Sequence, residues 1–142
     1  MNKQQILKDI FGHDNFRSFQ EEVVDSILNK QDVLTILPTG GGKSLCYQLP
    51  TLLMEGVTVV ISPLIALMQD QVKALNDLDI KAEMISSSQS NDENSFTMQK
   101  LLNAELKFIY VAPERFTSNE FVGVLKRINI NYFVIDEAHC VS

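Results

Sequence analysis

Cysteine, histidine and positive charge are all scarce in this chain of 142 residues, and each scarcity removes a class of function. Two cysteines, Cys46 and Cys140, with no paired spacing and no signal-peptide pattern, exclude a disulfide framework and suit a reducing cytosol. Two histidines could complete a zinc site with them, but His139 and Cys140 are adjacent and no ligand pair has zinc-finger spacing. Twelve basic residues against 18 acidic ones leave a net charge of -6, so a bulk positive field for nucleic acid is excluded and any such contact must be local. Long apolar runs are also missing: none approaches the roughly 18 residues of a membrane span. The longest, residues 56–68, is interrupted by Thr58, Ser62 and Pro63, and no membrane association is expected. What remains is a 45% hydrophobic chain able to bury one substantial core.

The hydrophobic pattern alternates between helix and strand. Ile6, Leu7, Ile10 and Phe11 predict a short helix ended by Gly12, and a second helix is expected from a capping box at Ser18 and Glu21. Strands are predicted over residues 33–37, 57–62, 82–86, 107–112 and 132–135. Between them, helices are predicted behind the glycines at 40–42, from Ser62-Pro63 as N-cap and first residue, from a capping box at Ser90 and Glu93, and from another at Thr117 and Glu120. Residues 86–95 read as a solvated polar loop leading into the third of these. Five such alternations predict an α/β fold with a mainly parallel sheet.

Two motifs carry chemistry. Residues 32–47 read Asp-Val-Leu-Thr-Ile-Leu-Pro-Thr-Gly-Gly-Gly-Lys-Ser-Leu-Cys-Tyr: strand, glycine loop, helix. Glycines let backbone N–H groups curl around a polyphosphate, and the following helix start adds the positive end of its dipole. Thr39, Gly40, Gly41, Gly42, Lys43 and Ser44 are therefore the candidate nucleotide cradle, with Lys43 reaching the β- and γ-phosphates and Ser44 holding Mg²⁺. The usual pattern opens on Gly or Ala, where this chain has Leu37. The second motif is the apolar strand that runs into Asp136 and Glu137. Parallel strands end on one edge of a sheet, so these carboxylates are expected to open toward the glycine loop. Asp136 can bind Mg²⁺ through water, and Glu137 can polarise the attacking water.

Taken with Asp136-Glu-Ala-His139, the loop is similar to motifs I and II of superfamily 2 helicases, and longer strings narrow the likeness. Residues 11–20, 38–48, 62–71, 110–115 and 136–142 resemble the RecQ family of ATP-dependent DNA helicases in order and spacing. The resemblance implies a RecA-like phosphate-loop NTPase domain that uses ATP and Mg²⁺. It implies a parent enzyme that couples ATP hydrolysis to 3'-to-5' unwinding of single-stranded or partly duplex DNA in repair and recombination. It also implies a cytoplasmic protein, beside the nucleoid in a bacterium. By position, Gln20 would read the adenine edge, Arg17 would support the nucleotide, and His13 stands where tyrosine more usually stacks on the base. Residues 62–71 and 112–115 match segments that touch the DNA backbone, with Ser62 and Arg115 as phosphate contacts, and His139 would couple the nucleotide and DNA sides.

The same resemblance divides the chain into adenine-recognition helices at 1–31 and a phosphate-loop core at 32–142, truncated after the Asp-Glu strand. The alternative reading is a nucleotide-binding module with little or no hydrolysis of its own. In helicase domains of this class a further strand inserts between the phosphate-loop strand and the Asp-Glu strand. Without it, residues 33–37 and 132–135 are expected to pair directly, to exchange with another copy of the chain, or to leave the first half mobile. Self-association through exposed strand edges is among those outcomes.

Overall fold

The computed structural model describes residues 2–17, 20–29 and 43–135, and for Lys43 only its place in a helix. The expected strand at 33–37, and with it the pairing to 132–135, lies outside the described residues. The chain packs as two units, one holding the residues up to Glu55 and the other starting at Gly56.

In the first unit, α1 (Lys3–Asp9) starts at a capping box that the apolar pattern did not reveal: Asn2 accepts from the Gln5 N–H while the Gln5 side chain accepts from the Asn2 N–H. Gly12, at φ +76, turns the chain back so that the His13 N–H reaches the Leu7 carbonyl at 3.0 Å. Helices α2 (Gln20–Leu28) and α3 (Lys43–Thr51) complete the unit. Its core is Ile6, Leu7, Val24, Leu45 and Leu49. Lys3 ties α1 to α2 through Asp25 and Glu21, and the hydrogen bond to Asp25 is the main reason its pKa is raised.

Cys46 is buried in α3, and burial pushes its thiol up to about 11 from 9.0. The folded thiol thus keeps its proton while the unfolded one ionises, so its contribution to stability declines as pH rises from 9.0 to about 11. Native protein at pH 8 is expected to leave Cys46 unalkylated until denatured. Peptide-resolved mass spectrometry checks this, and rapid native labelling of Cys46 would refute it.

Among the described residues the second unit holds a four-stranded, all-parallel sheet in the order β2-β3-β1-β4. Its strands are β1 (Val57–Ile61), β2 (Ala82–Ile85), β3 (Phe108–Val111) and β4 (Ile130–Ile135). β1 and β3 are the near-continuous apolar runs expected of central parallel strands. Helices α4 (Ile65–Asp77), α5 (Asn91–Leu102) and α6 (Asn119–Leu125), and a 3-10 turn at Pro113–Thr117, form the connections. One sheet face packs Val57, Val59, Ile85, Ile109 and Val111 against Met98 and Leu101 of α5 and Phe121 and Val124 of α6. The mainly parallel α/β expectation is met.

Local details depart from the sequence reading. Ser62 does not cap α4; its N–H still donates to Val111 across the sheet, so it prolongs β1, and Leu64 is the N-cap. The Ser62 hydroxyl instead accepts from the Leu64 N–H at 3.2 Å. The cap of α6 is Ser118, which accepts from the Phe121 N–H, because Ser118 has the extended backbone a cap needs whereas Thr117 is the last residue of the 3-10 turn. Residues 86–95 are not wholly solvated: Ser86 and Asn94 are buried, and the Asn94 amide donates to the Ser86 carbonyl. The Ser90 and Glu93 capping box forms as expected.

Candidate functional site

The predicted site residues fall in both units, and each part is built by its own local structure. In the first unit, α3 opens at Lys43, directly behind the glycines, so Lys43 and Ser44 occupy the first turn of a helix. The positive dipole end of that turn favours a phosphate. Ser44 is half-buried there, on a helix whose Leu45 and Leu49 anchor it in the core. Thr39, Gly40, Gly41 and Gly42 lie outside the described residues.

The loop between α1 and α2 brings His13, Arg17 and Gln20 onto one short segment. His13 and Arg17 are exposed, whereas Gln20 is buried at 3% exposure. Gln20 closes a turn: its Oε1 accepts from the Arg17 N–H at 2.7 Å, and its own N–H donates to the Arg17 carbonyl at 3.0 Å. The acceptor side of this carboxamide is therefore engaged within the loop.

In the second unit the parallel order brings the carboxyl ends of all four strands to one edge. Ile61 lies beside Val111 on one side and Ile135 on the other. Ser62 and residues 112–115 thus emerge from neighbouring strands, and β4 ends with Ile135 at the same edge. Asp136, Glu137 and His139 themselves lie outside the described residues. Arg115 is partly buried, and its Nε has no hydrogen-bond partner. A buried unpaired guanidinium N–H in the 3-10 turn behind β3 calls for an acceptor.

Sequence reasoning missed the carboxamides that tie the second unit together. Asn76 of α4 brackets Ala82, donating to its carbonyl at 3.1 Å and accepting from its N–H at 3.3 Å. Asn131 of β4 brackets Gly56 in the same way, both hydrogen bonds at 2.8 Å. Asn is a common residue at element ends and turns, so composition alone does not reveal either clamp. A hollow of about 410 Å³ beside Lys73, Met84 and Gln89 holds none of the predicted nucleotide residues. Among the described residues no group of three or more His, Cys, Asp or Glu is arranged to hold a metal, and no helix is long and apolar enough to cross a membrane.

Residues 17–142 match the family of DEAD/DEAH box helicases. The chain belongs to the DEAD/DEAH box helicase family. Within it, the chain is 45% identical over 137 residues to the ATP-dependent DNA helicase RecQ of Haemophilus influenzae, covering 96% of this chain and 22% of that protein. It is 47% identical over 140 residues to the RecQ of Bacillus subtilis, covering 98% of this chain and 24% of that protein. The chain thus spans about a quarter of the length of these relatives. The fold also matches the crystal structure of the DUF1998 helicase MrfA bound to DNA and AMPPNP. That match has a TM-score of 0.74 at 23% identity, over 96% of this chain and 21% of that one. The family's fold is therefore the α/β sheet described above.

Proposed function

We propose that this chain is the N-terminal part of the ATP-binding motor domain of a RecQ-like DNA helicase. Its parent protein couples ATP hydrolysis to 3'-to-5' strand separation on single-stranded or partly duplex DNA. The observation that carries the reading is the similarity to RecQ helicases over nearly the whole chain, joined to a helix that starts at Lys43 directly behind three glycines. Residues 1–31 would supply adenine recognition and residues 32–142 the phosphate-loop core.

In this reading Thr39, Gly40, Gly41, Gly42 and Lys43 cradle the phosphates of ATP, and Ser44 and Asp136 hold Mg²⁺. The residues described fit that group, since α3 starts at Lys43 with the positive end of its dipole and carries the Ser44 hydroxyl in its first turn. Bound Mg²⁺ neutralises charge on the transferring phosphoryl group. Glu137 orients and polarises the attacking water, and Lys43 stabilises charge on the γ-phosphate. Arg17 and His13 flank the nucleotide, and a base that used Gln20 as acceptor would displace the Arg17 N–H from Oε1. Ser62 and Arg115 meet DNA phosphates, contacts that position the strand without reading its sequence.

The test is steady-state ATP turnover by the full-length protein with and without single-stranded DNA. Turnover stimulated by DNA is the expected result. Turnover indifferent to DNA favours a nucleotide-driven module without translocation, and no turnover overturns the reading. Arg115→Ala is expected to weaken DNA binding alike across sequences and to lower the salt-dependence slope by about 0.7, because one phosphate is no longer neutralised by the protein.

A further inference from the structure

The pairing of β1 with β4 contains an irregularity one residue long. Val57 lies opposite Ile130, but Thr58 lies opposite Tyr132, so Asn131 is an extra residue in β4. In-register neighbours share a sheet face. Ile130 therefore packs with Val57 on the α5 and α6 side, and Phe133 and Ile135 follow Val59 and Ile61 on that same side. Residues 130 and 133 could not share a face in a regular strand, where alternation has a period of two. The bulge at Asn131 reverses the parity of everything after it.

Asn131 is also the residue that fastens the bulge. Its Oδ1 accepts from the Gly56 N–H and its Nδ2 donates to the Gly56 carbonyl, both at 2.8 Å, across 75 residues of sequence. A third hydrogen bond runs from Nδ2 to the Thr58 hydroxyl at 3.4 Å. Gly56 is shaped for this clamp, since a Cβ there would stand 2.4 Å from the Asn129 carbonyl oxygen and 2.8 Å from Asn131 Oδ1. The β1 end of the ladder is thereby fixed to one register, and β4 runs only four residues beyond the bulge before Asp136.

We infer that Asn131 is a positioning residue. Clamped to Gly56, it sets the parity and height at which β4 hands the chain to Asp136 and Glu137, and so the aim of the two carboxylates. The inference rests on the ATP-hydrolysing reading above. Slackening the clamp lets the extra residue migrate or be absorbed, which changes the parity of residues 132–135 and the step at which the chain leaves the sheet, while α3 keeps its own core of Leu45 and Leu49.

The experiment compares wild-type full-length protein with Asn131→Ala and Gly56→Ala, at a temperature where each is shown to be folded. Three quantities are read: kcat for ATP, affinity for a non-hydrolysable ATP analogue, and amide exchange of residues 57–61 and 130–135. Both variants are expected to lose roughly 10- to 100-fold in kcat, to keep analogue affinity within about threefold, and to exchange faster in those amides. Asn131→Asp, which keeps an acceptor for the Gly56 N–H, carries the same comparison should the alanine variants not fold. Unchanged kcat, or kcat and analogue affinity falling together, overturns the inference. Wild-type protein without ATP turnover would instead overturn the functional reading on which it rests.

Discussion

Glu137→Gln is expected to reduce ATP turnover of the full-length protein by about 10² to 10⁴ while leaving ATP binding nearly intact, whereas Lys43→Ala is expected to lose both. In the proposed mechanism the two side chains act on different parts of the reaction. A carboxamide is nearly isosteric with a carboxylate but cannot take a proton from the attacking water, so Glu137→Gln removes base chemistry and little else. Lys43, at the first position of α3, would bind the phosphates themselves. A hydrogen bond to a charged group is worth about 1.5–3 kcal/mol, so its removal should weaken ATP binding roughly 10- to 150-fold. Isothermal titration with ATP, beside steady-state kinetics, separates the two. Equal loss of ATP binding in both variants would contradict the division of roles.

Much of the fold was legible because its strands are unmistakable. β1 and β3 are buried on both faces and read as near-continuous apolar runs, a pattern that a solvated segment does not produce. Helix starts were less so, since several residues can compete for one cap. At α4 the Ser-Pro signal was present, but a sheet hydrogen bond to Val111 held Ser62 in β1 and moved the start two residues on. At α6 Thr117 ends a 3-10 turn, and the cap passed to Ser118, whose backbone is extended.

β4 hides its first two residues for a similar reason. Asn131 separates Ile130 from the unbroken apolar run of residues 132–135, so the strand reads as beginning at Tyr132 although pairing with β1 starts at Ile130. The site divides along the same line. Glycines before Lys-Ser and a strand ending in Asp-Glu announce their chemistry within a few residues. Asn131 does not, since its meaning depends on Gly56, 75 residues away.

The largest loss of stability is expected at Phe121, where replacement by alanine should cost about 3–5 kcal/mol. Phe121 is fully buried, and its ring meets that of Phe116 edge to face at 5.5 Å and 78°. It packs in the cluster that joins α5 and α6 to the sheet beside Ile109 and Val111. Truncation would leave a cavity among rigid strands with little scope for collapse, against a total stability of about 5–15 kcal/mol for a domain. Phe96 is the internal comparison: it is 65% exposed, and Lys100 Nζ lies 4.9 Å from its ring centre. Removing an exposed cation–π pair should cost below about 1 kcal/mol. Urea unfolding should therefore show a far lower midpoint with an unchanged slope for Phe121→Ala, and a near-normal midpoint for Phe96→Ala. Equal midpoints for the two variants would mean that this cluster does not hold α6 to the sheet, and with it the support for the strand ends that carry Arg115 and lead to Asp136.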